Sequence, residues 1–334
     1  MLGMMFAMAV ASGVVACVGD DADSGRSEPN GPPPAPAATN PDAPPSEPAS
    51  PVTNDPPKTP DVPKPACNVD KPFGAPKALS SLHSEYYDVF PRLTGDELTI
   101  VFARESAYGQ KPGRDIYIAK RASTSVPFDP PVPVEGVNSD AHESDPSISN
   151  DGLTLYFTST RLTGDHDLFV AKRTSTNDAF DTPEPVAELN SSPGNDRVPM
   201  VVRNGEEIWF SSNRANGQGS GDLYRALRVG NTWGPAENIV ELNSPANDLA
   251  VAVSTDALTV YFSSTRPGSK GEDIWMAKRS SVDAAFGAPT NVSELNTDGF
   301  DGPGWLSPDG CRLYFHSSAS TADYDLYVAE KPAE

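Results

Sequence analysis

The chain has 334 residues, 35 of them proline and three cysteine, and its 46 acidic against 25 basic side chains give a net charge of −21. That balance excludes nucleic acid as a partner, because phosphate binding displaces counterions through clustered Lys and Arg, and no such cluster occurs. It also excludes charge-driven docking to an anionic lipid surface. Cations or basic protein patches are better partners, unless the acidity only keeps an exported protein soluble.

The first residues, MLGMMFAMAVASGVVA, are apolar and end in small side chains. They are too short to span a bilayer as a mature helix and read as a signal peptide. VVAC then resembles the bacterial lipobox, so residues 1–17 are expected to be removed up to a lipidated Cys17. No Lys or Arg precedes the apolar run, and the alternative is cleavage after Ala16 with Cys17 unmodified. Residues 18–66 follow, with 15 prolines among 49 residues. Such a segment has too little apolar surface to offset its ordering entropy. It is expected to be a disordered, partly polyproline-II tether with a reach on the order of 150 Å.

From residue 67 to 334 the chain repeats. NDGLTLYFTSTR at 150–161 returns as NGEEIWFSSNR, TDALTVYFSSTR and PDGCRLYFHSSA. The closing phenylalanines, Phe102, Phe157, Phe210, Phe262 and Phe315, are spaced by 55, 53, 52 and 53 residues. That period suits propeller blades, and the β-branched and aromatic runs bounded by Asp-Gly and Asn-Gly turns are strand signals. An aspartate opens a third strand in every unit: Asp115, Asp167, Asp222, Asp273 and Asp325. It is read as satisfying the turn before it. A fourth strand carries an aromatic ten residues before an asparagine, as in Phe286 and Asn296. The fifth unit lacks this element at its end, but PFGAPKALSSLH at 72–83 matches AFGAPTNVSELN at 285–296. A ring of sheets must close or leave an open seam. The expected fold is therefore an all-β, five-bladed β-propeller of four-stranded antiparallel blades, with the N-terminal strand completing the last blade.

The pattern S-x-D-G-x-x-L-Y-F-x-S-x-R followed by D-L-Y-x-A resembles the WD40-like repeats of the TolB-type propeller, over residues 73–331. Similar repeats precede peptidoglycan-associated domains in some envelope proteins. The resemblance implies a binding and scaffolding role. Two features depart from it: no Trp-Asp dipeptide occurs, and five units stand where the TolB propeller has six.

Propeller topology puts Cys67, just before the closing strand, and Cys311, in the A–B turn of the last blade, on one face. An oxidising compartment permits a Cys67–Cys311 disulfide there; the alternative is two free thiols. Fourteen residues before each phenylalanine stands an acid: Asp88, Glu143, Asp196, Asp248 and Asp301. These open the innermost strands and predict a carboxylate crown at one mouth of the channel. A cation or basic peptide could compensate it, or inter-blade pairing with Arg161, Arg214 and Arg266. Arg104 is displaced by two residues, and Ala319 stands in the fifth position. The long, glycine-rich B–C loops share that face, which reads as the binding face.

No His cluster has metal spacing, and no nucleophile or phosphate-loop motif occurs. No cofactor is indicated beyond a channel cation. The function expected is that of a monomeric, non-enzymatic lipoprotein platform binding an envelope protein or a cell-wall glycan, touching membrane only through its lipid. The alternative is a secreted glycoside hydrolase using Glu143 as acid and a ring aspartate as base or nucleophile.

Overall fold

The computed structural model describes residues 67–105, 113–318 and 324–333. The export segment with Cys17, the tether, residues 106–112 of the blade-one B–C loop and Ala319 lie outside the described residues. The described part is five antiparallel sheets.

A short strand, β1 (Lys77–Ala78), comes first. Blade one follows with β2 (Asp88–Leu93), β3 (Thr99–Glu105), β4 (Arg114–Lys120) and β5 (Val132–Pro133), and blade two with β6 (Glu143–Ile148), β7 (Thr154–Ser159), β8 (Asp167–Lys172) and β9 (Glu184–Pro185). Blade three has β10 (Asp196–Val202), β11 (Glu207–Ser212), β12 (Asp222–Val229), a hairpin strand β13 (Thr232–Trp233) and β14 (Glu237–Asn238). Blade four has β15 (Asp248–Val253), β16 (Thr259–Ser264), β17 (Asp273–Lys278) and β18 (Thr290–Asn291). Blade five has β19 (Asp301–Leu306), β20 (Arg312–Ser317) and β21 (Asp325–Glu330), and β1 completes it, with Lys77 opposite Val328 and Ala78 opposite Tyr327. The N-terminal segment thus closes the ring, as the match between 72–83 and 285–296 predicts.

The repeated letters now have physical roles. In four of the A–B turns a hydroxyl bonds an aspartate two residues on: Thr94 to Asp96, Ser149 to Asp151, Ser254 to Asp256 and Ser307 to Asp309. The same aspartate accepts the amide two residues beyond it, which fixes the turn. Each repeat phenylalanine faces the aromatic of the third strand, as Phe157 faces Phe169 with ring centroids 5.8 Å apart. The asparagines of the fourth element clamp the third strand. Asn138, Asn190, Asn243 and Asn296 each accept the amide and donate to the carbonyl of one residue there, namely Ile116, Leu168, Leu223 and Ile274. That supplies the pairing which the two-residue outer strands lack.

The core sits between blades rather than within them. Each of five apolar clusters joins two neighbours, such as Trp209, Leu223 and Leu242 of blade three with Val251, Phe262 and Phe286 of blade four. At the closing seam Phe128 and Leu93 meet Trp305 and Leu326. A polar network ties the same seam: Glu97 accepts from Arg312 at 2.5 Å and from the Tyr314 hydroxyl at 2.9 Å. Cys67 and Cys311 are disulfide-bonded, with Cα atoms 5.7 Å apart across a sequence separation of 244.

Candidate functional site

The five crown residues open the innermost strands β2, β6, β10, β15 and β19. They do not form an open rim. All five are at most 1% exposed, and their oxygens are engaged by the chain itself. One side of each carboxylate accepts from a loop hydroxyl four or five residues earlier: Ser84, Ser139, Ser191, Ser244 or Thr297. A guanidinium reaches the other oxygen of Asp196 from Arg214 (2.6 Å) and of Asp248 from Arg266 (2.6 Å), while at Glu143 Arg161 (3.0 Å) shares Oε1 with the Ser139 and Ser159 hydroxyls. Arg104 fills the same slot despite its displacement. It stands directly across the strand pair from Asp88, and its Nε lies 2.6 Å from that carboxylate. Each arginine also donates to a carbonyl of the preceding outer element (Leu82, Val137, Leu189 and Leu242) and lies over the repeat phenylalanine, as Arg266 does at 4.8 Å from Phe262.

The crown is thus a set of clamps that lock one loop in each blade and, in blades one to four, one arginine. Asp301 has no guanidinium among the described residues and is held by Thr297 and Ser317. Burial raises the pKa of Asp301 and of Asp88. Burial would also raise Glu143, but the Ser139 amide and hydroxyl, Ser159 and Arg161 hold it below the ordinary range. A general acid works best with a raised pKa, and these partners act on Glu143 in the opposite sense. Among the described residues, no group of three or more His, Cys, Asp or Glu side chains is placed to hold a metal ion.

Asp248→Asn is expected to cost about 2–3 kcal/mol, because an amide nitrogen would face Arg266 or the two serines in a closed site. Asp301→Asn, with no arginine to strand, is expected to cost less than half of that. Urea midpoints of the two variants check the difference.

A second basic series was legible in the sequence yet went unread. Arg121, Arg173, Arg228, Arg279 and Lys331 lie over the aromatics of the fourth strands, Phe128, Phe180, Trp233, Phe286 and Phe73, at 4.0–4.5 Å. They keep the repeat spacing, which was the available signal.

The axial channel itself differs from blade to blade. Two residues after the crown position, blades one to three place Phe90, Asp145 and Val198 at positive φ (57°, 53° and 53°), each followed by a proline. β-Branched and aromatic residues rarely adopt this conformation, and its recurrence marks channel walls held under strain. Asp145 is paired with Arg197 at 3.3 Å and bonded by Ser144 at 2.9 Å. Burial would raise its pKa, but Arg197 and Arg114 bring it down to about 2. Around it stand His142, His166 and His316, all kept neutral chiefly by burial; His166 falls to about 4 and His316 to about 3. Glu272 moves the other way, raised by burial.

At the other end of the innermost strands, among the A–B turns, the described residues enclose a further cavity. A cavity of about 450 Å³ is lined from all five blades, including Arg92, Asn150, Met200, Asn204, Thr255 and Trp305. Among the described residues, then, the crown carboxylates at the B–C end are engaged by the chain itself, and a cavity lies among the A–B turns at the opposite end.

No protein-family model matches the chain, and no curated protein sequence matches it. Among solved structures it is similar to TolB from Acinetobacter baumannii, at 16% identity over 76% of this chain and 57% of that one, with a TM-score of 0.47. It is similar to a putative TolB from Agrobacterium tumefaciens, at 16% identity over 76% and 82%, with a TM-score of 0.49. It is also similar to an α-L-arabinofuranosidase from Podospora anserina, at 11% identity over 81% of this chain and 99% of that one, with a TM-score of 0.51. The last likeness corrects the expectation of a non-enzymatic protein: glycoside hydrolases use the same propeller, so missing sequence motifs do not separate binding from catalysis. At 11% identity the likeness to the arabinofuranosidase shows the fold alone, a β-propeller, which the five sheets of this chain build with five blades.

Proposed function

We propose that this is an exported, lipid-anchored protein of the cell envelope whose propeller binds an envelope protein or a cell-wall glycan at the A–B-turn mouth of its channel. The axial cavity carries this reading. It has the volume of a small-molecule or side-chain-sized site, and all five blades supply its walls. The lipobox-like VVAC ending at Cys17 and the Pro-rich residues 18–66 support the anchor and the tether. The closed crown makes the propeller stiff, so the mouth keeps its shape while the tether lets it search.

The test has two arms. Labelling with a fatty-acid analogue should mark the wild type and leave Cys17→Ser unmarked. The wild type should also co-sediment with purified cell-wall sacculi or cross-link to an envelope protein, and Thr255→Trp, which fills the mouth, should lose that capture. Equal capture of the two, or no label on the wild type, overturns the corresponding half of the reading.

A second reading, glycoside hydrolysis, is favoured by two observations. The arabinofuranosidase shares the propeller fold, and Asp145, held low by Arg197 and Arg114, stands as a buried ionised carboxylate. Turnover of a glycan panel that Asp145→Asn stops would favour it.

A further inference from the structure

Among the described residues, Arg92 lines the cavity with two guanidinium nitrogens idle. It belongs to β2, is 1% exposed and is among the largest fully buried side chains of the molecule. Its Nη1 donates to the Val251 carbonyl at 2.7 Å and lies 3.6 Å from Met200 Sδ. Its Nε and Nη2 have no partner. These two nitrogens form the side of the guanidinium that grips two oxygens at once. The same molecule displays what that edge holds: in Arg104 the Nε reaches Asp88 Oδ1 at 2.6 Å and the Nη2 reaches Oδ2 at 3.1 Å. No crown acid opposes Arg92. The charged group that most supports its protonation is Asp145, itself taken by Arg197 and Ser144. A buried charge left without a partner costs stability, and its retention is typical of a site kept for a ligand.

A second observation is independent of this one. The cavity that Arg92 lines is basic in a strongly acidic chain. Lys172, Arg203 and Arg228 also line it, against Asp151 alone. Arg203 is shared with Glu206 and Glu207, and Arg228 donates to Gly205 and Tyr156. These side chains therefore set the local field while Arg92 offers the idle donors. Met200, Val253, Leu306 and Trp305 supply apolar wall beside it.

From this arrangement we infer that the A–B-turn mouth takes a carboxylate-bearing ligand, its two oxygens seated on Nε and Nη2 of Arg92. The inference rests on the mouth being the binding site and names the chemistry recognised there. Sugar acids and peptide C-termini both present such a group. Burial brings the Arg92 pKa down to about 9, so the side chain is still cationic at neutral pH.

Isothermal titration of the intact propeller with two matched pairs tests this. The first pair is N-acetylmuramic acid against N-acetylglucosamine, and the second is acetyl-Ala-Ala against its C-terminal amide. The acid of at least one pair should bind, and its neutral partner should bind about 10–100-fold more weakly or not at all. Which acid binds identifies the source. Arg92→Met should abolish the preference and raise the melting temperature, because it removes a buried uncompensated charge without removing volume. Arg92→Lys, which keeps charge and loses the two-pronged edge, should recover only part of the affinity. Equal binding of acid and neutral partners, unaffected by Arg92→Met, overturns the inference and leaves the binding mouth standing. No binding of either acid, or a loss of stability in Arg92→Met, also overturns it, and sacculus capture by the wild type then decides the broader reading separately.

Discussion

Cys311→Ser is expected to lower the stability of the propeller by about 5 kcal/mol. The bond joins residues separated by 244 positions, so in the chain-entropy account it removes the closure entropy of a loop nearly as long as the whole folded region from the unfolded state. It also acts at a particular seam. Phe73, Gly74 and the two-residue strand β1 are the pieces that complete blade five, with Gly74 donating to Glu330 at 2.7 Å and Leu79 to Leu326 at 2.8 Å. So short a strand cannot hold the ring alone. The disulfide keeps it at hand by tying its leading end to the A–B turn of the same blade. For a domain of this size the loss corresponds to a fall of roughly 10–20 °C in melting temperature. Thermal unfolding of the wild type with and without reductant, beside Cys311→Ser, checks it. A reduced wild type that melts with the oxidised one would show that the inter-blade cores and the Glu97–Arg312 network already close the ring.

Acidification from pH 6.5 to about 3 is expected to remove about 4 kcal/mol through His316. This ring is 5% exposed, stands edge-on to Phe90 at 4.8 Å, and its Nδ1 accepts the Phe90 amide at 3.3 Å. Burial lowers its pKa to about 3, aided by the charges of Arg114 and Arg92 and opposed by Asp145. A histidine whose folded pKa is depressed binds its proton first in the unfolded chain. The stability it contributes is therefore complete above the unfolded value near 6.5 and declines as pH falls towards the folded value. His166, lowered to about 4, acts in the same sense, more weakly because its ring is partly exposed. Asp145 adds its own loss as pH falls through the ordinary carboxylate range towards about 2. The raised carboxylates Asp88, Asp301 and Glu272 titrate with the opposite sign, so the histidine contribution is read as the difference between the wild type and a variant lacking the ring. His316→Asn keeps an acceptor for the Phe90 amide and removes the titration. Its urea midpoint should change between pH 7 and 5 by less than half as much as that of the wild type; parallel profiles would sink the assignment.

Both expectations draw on features of different legibility. The disulfide and the closing strand could be read from letters, because a repeat carries its own register. Once Phe73 is placed over Phe286 and Cys311 in the last A–B turn, ring closure puts Cys67 beside it. Arg161, Arg214 and Arg266 could likewise be placed near the crown, since equal spacing in equal blades gives equal positions. Their spacing could not tell whether the carboxylates faced water or the chain. That depended on the guanidinium folding back across the phenylalanine and on a serine four or five residues upstream reaching the second oxygen. Arg104 is displaced by two residues, taking the place that Ser159, Ser212 and Ser264 hold opposite the other crown acids, yet it reaches Asp88 directly across the strand pair.

The sequence by itself determined the number of sheets, the order of their strands and the place where the ring closes, because each is a repeated pattern of turn, apolar and aromatic residues acting locally. Only the tertiary structure decided that the crown carboxylates face the chain rather than water, and which charge stands idle beside the cavity at the other end. Arg92, Asp145 and His316 occur once each and have no counterpart in the other blades. Their meaning arises where five different strands converge on one axis, and burial there sets both their protonation and their need for a partner.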